Sequence, residues 1–449
     1  MSQPAVQTAA PVRQRFVGID IVKIVACFLV VSVHFFLYSG FYSTPITQEF
    51  GQFQIYLRWI AYCCVPLFMI TTGYLMKNKT LSKSYYLGAL RVLILYLVIS
   101  VICVMFNRSF NNRTYTAWEF IRGIFMYTDA QYAWYVEYYF TIFLLIPFIN
   151  MGYNGMKTKK AKFIMLVTVA ALTVFSQSLY IGFERDTQIR LLPGYFTRCY
   201  PIAYYLFGAF LRDFPPKRTL PNKCYFAAGF LISLTWLSSS TYRQSLANTE
   251  NNSIFLSWHY NDYGSWPVFL CSCFIFLLLF DITCKNKPVR YILKTVGNAT
   301  FAAYLISYIF DQKTYRAFVG RIPQLQNHAE MPQRCREWYT CVLPVFLKAM
   351  LCGLVLQGAY NFCDKFVRRV YRNAKAMRNA VPAEGTPAEA LPVQPAEASE
   401  GSAEAPAAAE PVQEEAAAEE PYSRPAQPVH SSAEYSMPEL PTDSDAQNP

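Results

Sequence analysis

Residues 18–38 read GIDIVKIVACFLVVSVHFFLY, and this stretch decides the fold class. Between Lys23 and His34 lie ten consecutive uncharged positions, most of them branched or aromatic. A bilayer-crossing helix needs roughly 20 predominantly apolar residues, and this run meets that length. It is too long for the apolar core of a secretory signal, and no small-x-small cleavage pattern follows it. It therefore reads as a retained transmembrane helix.

Working outward, the same composition recurs along the chain. Further candidate spans are Trp59–Met76, Ala89–Phe106, Tyr135–Ile149, Phe163–Tyr180, Cys199–Leu211, Cys224–Ser239, Ser265–Phe280, Val296–Phe310 and Thr340–Tyr360. The expectation is an all-α, polytopic membrane helix bundle of about ten transmembrane helices. The prolines at 193 and 201 predict irregular backbone ahead of the sixth span, tolerated only where protein or a wet cavity surrounds it. Composition agrees: 53% of residues are hydrophobic and only 15% charged, where soluble domains run at about 25% charged.

The charges orient the spans. Segments after even-numbered spans, with the one before the first and Arg91, hold 24 basic residues against Asp213, Asp281 and Asp364; the other segments hold 13 against 11. Lys/Arg-rich loops stay cytoplasmic, so both termini are expected inside a multi-pass protein of the cell membrane. Residues 1–378 carry 39 Lys/Arg against 15 Asp/Glu, while the remainder carries Arg424 against 14 acids. Basic residues gathered at helix ends match a membrane surface and not nucleic acid. The organisation expected is a disordered 1–14, a membrane domain over 15–378, and a disordered Ala/Pro/Glu-rich cytoplasmic tail over 379–449.

Ionisable groups inside spans are costly and mark function. Asp20 and Lys23 are i,i+3 neighbours able to pair. Lys23 and His34 are eleven residues apart, about 16 Å of rise on nearly one face. Glu137 enters the fourth span from the opposite direction at a depth similar to that of His34. A carboxylate beside an imidazole orients the ring and raises its basicity. The plainer reading is two interfacial residues that never meet. Arg190, Arg198, His259 and Ser307 are candidates for an acceptor site on the outer side, with solvated loop roles as the alternative for the arginines. Lys348 lies mid-span and is expected to face the bundle interior. Thirteen cysteines without a C-x-x-C pair, and no H-E-x-x-H, give no metal site.

The residues Gly18-Ile-Asp20-Ile-Val-Lys23, then ten residues, then His34-Phe-Phe resemble the first helix of the acyltransferase 3 family of integral membrane acyltransferases. Lys23 stands at the position of the family's usual arginine. Pro66-Leu-Phe-Met-Ile-Thr-Thr72-Gly73-Tyr-Leu, Trp134-Tyr-Val-Glu137-Tyr and Gly297-Asn-Ala-Thr300-Phe-Ala-Ala-Tyr304-Leu-Ile-Ser307 are similar to further family segments, with Ser307 where histidine is common. The resemblance implies acyl transfer, commonly of acetyl, from a cytoplasmic acyl-CoA to a hydroxyl of an extracytoplasmic carbohydrate or cell-envelope glycan. The donor is a substrate, and no permanently bound cofactor is expected. On that reading His34 is the general base with Glu137 orienting it, and Lys23, Lys83 and Arg91 meet the donor's phosphates. A multi-span transporter of a polar or lipid-linked sugar and a non-catalytic glycan-binding scaffold are the competing readings.

Overall fold

In hydrocarbon every backbone N–H and C=O must be satisfied within its own segment, so long uncharged runs become helices. The computed structural model describes residues 15–47, 51–176, 179–180, 188–189, 192–249, 253–256, 263–321 and 331–380. The expectations for residues 1–14, for the tail beyond 380, and for Arg190 and His259 fall outside these residues.

The elements in chain order are α1 (Val17–Tyr38), α2 (Gly51–Tyr62), α3 (Cys64–Met76), α4 (Lys83–Leu87), α5 (Leu90–Phe110), α6 (Ala117–Phe125), α7 (Trp134–Gly155), α8 (Lys159–Ala170), α9 (Tyr200–Asp213), α10 (Leu220–Ala247), α11 (Trp266–Leu279), α12 (Lys287–Arg321) and α13 (Met331–Ala380). A two-residue antiparallel ladder pairs Leu179 with Ile189 and Tyr180 with Gln188. Among the described residues, five stretches are long and apolar enough to cross a membrane: Val17–Ser43, Gly51–Met76, Lys83–Phe110, Trp134–Gly155 and Trp338–Asn373. The protein is an all-helical membrane protein.

Several expected spans differ in extent. The second begins at Gly51 and is broken at Cys63, where α2 hands over to α3. A π-helical turn, Ala171–Phe175, follows α8, and a 3₁₀ helix, Gly194–Cys199, leads into α9. The ninth and tenth expected spans are the middles of much longer helices, α12 and α13. Helical hydrogen bonding continues past the apolar run wherever no breaker intervenes, so hydropathy alone locates only the centre.

α1 defines two ends of the bundle, the Val17 end and the Tyr38 end. At the Val17 end the Phe16 ring meets Tyr74 of α3 edge-on at 5.5 Å and lies under the Arg212 guanidinium of α9 at 4.0 Å. The three acids of the basic segments are all paired here: Asp213 with Lys77 and Lys162, Asp281 with Lys223 at 2.5 Å and Arg218 at 3.4 Å, and Asp364 with Arg368 at 2.9 Å. The exposed Arg368–Asp364 pair is worth about 0–1 kcal/mol, whereas the Lys77 and Lys162 pairs with Asp213 are largely shielded from water. α3 and α9 cross where Gly73 faces the Tyr205 carbonyl and Gly208 faces the Ile70 carbonyl, with no room for a side chain at either. Small residues at such crossings let backbones approach closely in a membrane bundle.

Between α5 and α7, α6 begins with a reciprocal capping box: Thr116 accepts from the Glu119 backbone N–H, and Glu119 accepts from that of Thr116. Asp129 follows, buried, its carboxylate filling the space a side chain at Gly123 would occupy. Burial raises its pKa to about 6. An acid with a folded-state pKa above its unfolded value holds its proton more tightly when folded. Its contribution to stability is greatest below the ordinary value near about 3.9 and declines as pH rises to about 6. The melting temperature of detergent-purified protein should fall across this window, and Asp129→Asn should flatten that fall. Parallel pH profiles for the two proteins would overturn the assignment.

Candidate active site

α1 and α12 run parallel in contact, because their polar pairs meet in the same order along both helices. At the Val17 end Gly297 lies against Asp20, and at the Tyr38 end His34 Nδ1 is 3.1 Å from Asp311 Oδ2. Asp311 is fully buried and His34 nearly so. A third residue completes the cluster. Tyr132, just ahead of α7, donates its hydroxyl to the same Asp311 Oδ2 at 2.8 Å, and its ring stacks on the His34 imidazole at 3.5 Å. Burial pushes the Tyr132 phenol well above its usual range, so it remains a hydroxyl donor.

The chemistry follows from donor and acceptor roles. An ionised carboxylate accepts only. With Asp311 receiving bonds from both neighbours, a neutral His34 carries its proton on Nδ1 and presents a lone pair at Nε2. A histidine so held is equipped to take a proton from a hydroxyl, the orienting-carboxylate logic of acyl-transfer sites. Asp311 Oδ1 is buried, and the Tyr315 hydroxyl lies close to the carboxylate.

At the other end of α1 a second polar cluster surrounds Asp20. Arg15 binds its two oxygens through Nε and Nη2, each at 2.7 Å, and Lys23 Nζ donates to Oδ1 at 3.1 Å. Lys23 also reaches the Gly297 carbonyl at 3.4 Å, and Arg15 reaches Asn298 Oδ1 at 3.1 Å. Arg91, from the start of α5, donates to the Asn298 carbonyl at 3.3 Å and to Gln357 Oε1 of α13 at 2.5 Å. Arg15 and Lys23 thus share one carboxylate, and Arg91 sits beside them on the Asn298 carbonyl.

A family model described as an acyltransferase domain matches residues 16–330. The chain belongs to the acyltransferase 3 family. No curated protein and no solved structure matches it. The match covers α1 through α12, with His34, Asp311 and most of the Asp20 cluster; Arg15 and Gln357 lie outside it.

Within this domain the structure corrects several expectations. Glu137 is exposed on α7 and does not reach His34; the carboxylate at the imidazole is Asp311. The reason is packing: α12 lies along α1, whereas Glu137 sits on the outward face of α7. Lys348 is exposed on α13, not directed into the interior. Lys83 is exposed at the start of α4 and makes no recorded bond to the Asp20 cluster, which does gather Lys23 and Arg91. Arg198 is exposed on the 3₁₀ helix before α9. Ser307 is buried one turn before Asp311 and donates to the Tyr304 carbonyl at 2.8 Å. Sequence reasoning missed Asp311 and Tyr132. The available signal was a lone carboxylate, Asp311, one residue beyond the apolar run that closes at Phe310.

Proposed function

We propose that this acyltransferase moves an acyl group, acetyl on the family's common pattern, from an acyl-CoA to a hydroxyl of an extracytoplasmic carbohydrate or envelope glycan. The observation that carries the reading is the placement of a His34–Asp311 pair and an Arg15/Lys23/Arg91 cluster at opposite ends of one helix. Arg15, Lys23 and Arg91 suit the phosphates of CoA. The Val17 end then faces the cytoplasm of the cell that carries the protein in its plasma membrane, as the Lys/Arg bias favours. About ten passes and two cytoplasmic termini complete this topology.

In the reaction, His34 Nε2 accepts the proton of the acceptor hydroxyl as its oxygen attacks the thioester carbonyl. A new C–O bond forms, the C–S bond breaks, and the departing thiolate recovers the proton from the imidazolium. Asp311 stabilises that imidazolium while it exists. No covalent acyl-enzyme is required.

The test is transfer of label from acetyl-CoA to envelope extracts by the purified full chain, with products identified by mass spectrometry. Failure of the wild type to acylate any glycan would overturn the reading. Within the same assay, Arg91→Ala should raise the KM for acetyl-CoA severalfold and leave the acceptor KM nearly unchanged. An unchanged donor KM would remove Arg91 from the donor site.

A further inference from the structure

Three cations stand at the Tyr38 end, where α5 ends and α12 runs on past Asp311: Arg113, Lys313 and Arg316. All three are exposed. Among the described residues, none forms an ion pair. A network running from buried Tyr308 out to the surface holds Arg316. Tyr308 OH donates to Asn107 Oδ1 at 2.9 Å, Asn111 Nδ2 donates to the same oxygen at 2.8 Å, and Arg316 Nη1 donates to Asn111 Oδ1 at 3.0 Å. A left-handed turn at Asn112 (φ 51°) brings Arg113 back, its N–H on the Asn107 carbonyl at 3.2 Å and its guanidinium 4.8 Å from the Tyr115 ring. Lys313 Nζ lies 5.6 Å from the Phe106 and Phe110 rings. Arg113 also feels two acids beyond ion-pair distance: Glu119, which caps α6, and Asp129, which is buried against Gly123.

The patch is continuous with the active site. Tyr308 meets the Tyr132 ring edge-on at 5.5 Å, and Tyr132 stacks on His34. Lys313 and Arg316 follow Asp311 on α12 by two and five residues, about 3 and 7.5 Å of helical rise. In the topology proposed above this end is extracytoplasmic, where loops are ordinarily depleted of Lys and Arg. Three exposed cations gathered at this end, linked through Tyr308 to Tyr132, offer an anionic group a place to bind.

We propose that Arg113, Lys313 and Arg316 form the subsite for an anionic group of the acceptor, which makes the acceptor an acidic glycan bearing carboxylate or phosphate. The inference rests on the acyltransferase reading for its account of why an acceptor binds here, but its test is binding and not turnover. Charge pairing at an accessible rim steers and selects a ligand while the hydroxyl to be acylated lies deeper, toward His34 Nε2.

The experiment uses the full chain in neutral phosphatidylcholine nanodiscs, titrated by calorimetry. The probes are an oligogalacturonate, a phosphate-bearing oligomannoside, and a neutral galacto-oligosaccharide of equal length. The acidic probes should bind at least about tenfold more tightly than the neutral one, a tenfold ratio being a modest charge-pairing contribution. Lys313→Gln and the double variant with Arg316→Gln should lose that preference stepwise, leaving neutral-sugar binding and CoA-induced thermal stabilisation unchanged. Comparing carboxylate with phosphate probes tells which anion the subsite prefers. Equal affinity for acidic and neutral probes, or wild-type selectivity in the double variant, would overturn the proposal. Charge-selective binding without acyl transfer would leave this subsite standing and count against the catalytic reading instead.

Discussion

Replacing His34 by alanine is expected to lower kcat for glycan acylation by about 10²-fold or more, the range typical of a positioned acid–base group. That factor corresponds to about 2.7 kcal/mol of transition-state stabilisation. The variant loses the only lone pair that Asp311 and Tyr132 hold in place. The donor should still bind, because the Asp20 cluster lies at the opposite end of α1. CoA-induced thermal stabilisation checks that point in the same preparation. Robust transfer by His34→Ala would sink the assignment.

Asp311→Asn should be nearly as damaging, although the side chain keeps its size. The amide removes the charge that supports an imidazolium. Its NH₂ can also donate to Nδ1, which would shift the histidine proton to Nε2 and take away the base. A fall in kcat of about 10²-fold with little change in donor KM is the expected result. Glu137→Gln provides the contrast: the Glu137 side chain is exposed and away from His34, so its activity should stay close to wild type. An order reversed between these two variants would restore Glu137 as the orienting carboxylate. Size-exclusion profiles are needed alongside, since a buried site left with an unmatched polar group loses stability as well as rate.

The sequence and the structure part company at a definable place. Membrane character and the centres of the spans were readable because an uncharged run of sufficient length has few alternatives in water. Lys23 and His34 stand out for the same reason, each a costly group inside such a run, and the structure gives each a buried carboxylate partner. The carboxylate partner was not, because choosing between Glu137 and Asp311 requires knowing which helix packs on α1. Hydropathy says nothing about neighbours, and both acids lie at span ends. Tyr132 was hidden by abundance, one of 33 tyrosines in a chain where most aromatic rings serve as interface anchors or packing. Arg91 was chosen for its charge, yet its placement depends on α12 and α13, more than 200 residues away.

The parallel pairing of α1 with α12 carries a geometric consequence. Asp20 and His34 are fourteen residues apart, as are Gly297 and Asp311, and the His34–Asp311 bond joins residues separated by 277 positions. Asp20 and Gly297 are separated by that same 277. The two helices therefore work as matched rulers, each marking off about 21 Å between the anion-facing end and the proton-accepting end. Inserting one residue into either ruler between its two marks would displace its far mark by about 1.5 Å and turn it by about 100°, misaligning a contact of 3.1 Å. Length changes in one helix are tolerable only with an equal change in the other, so the spacing between the two polar clusters, which on the proposed reading sets the path of the acyl group, is written twice, in two places far apart in the chain.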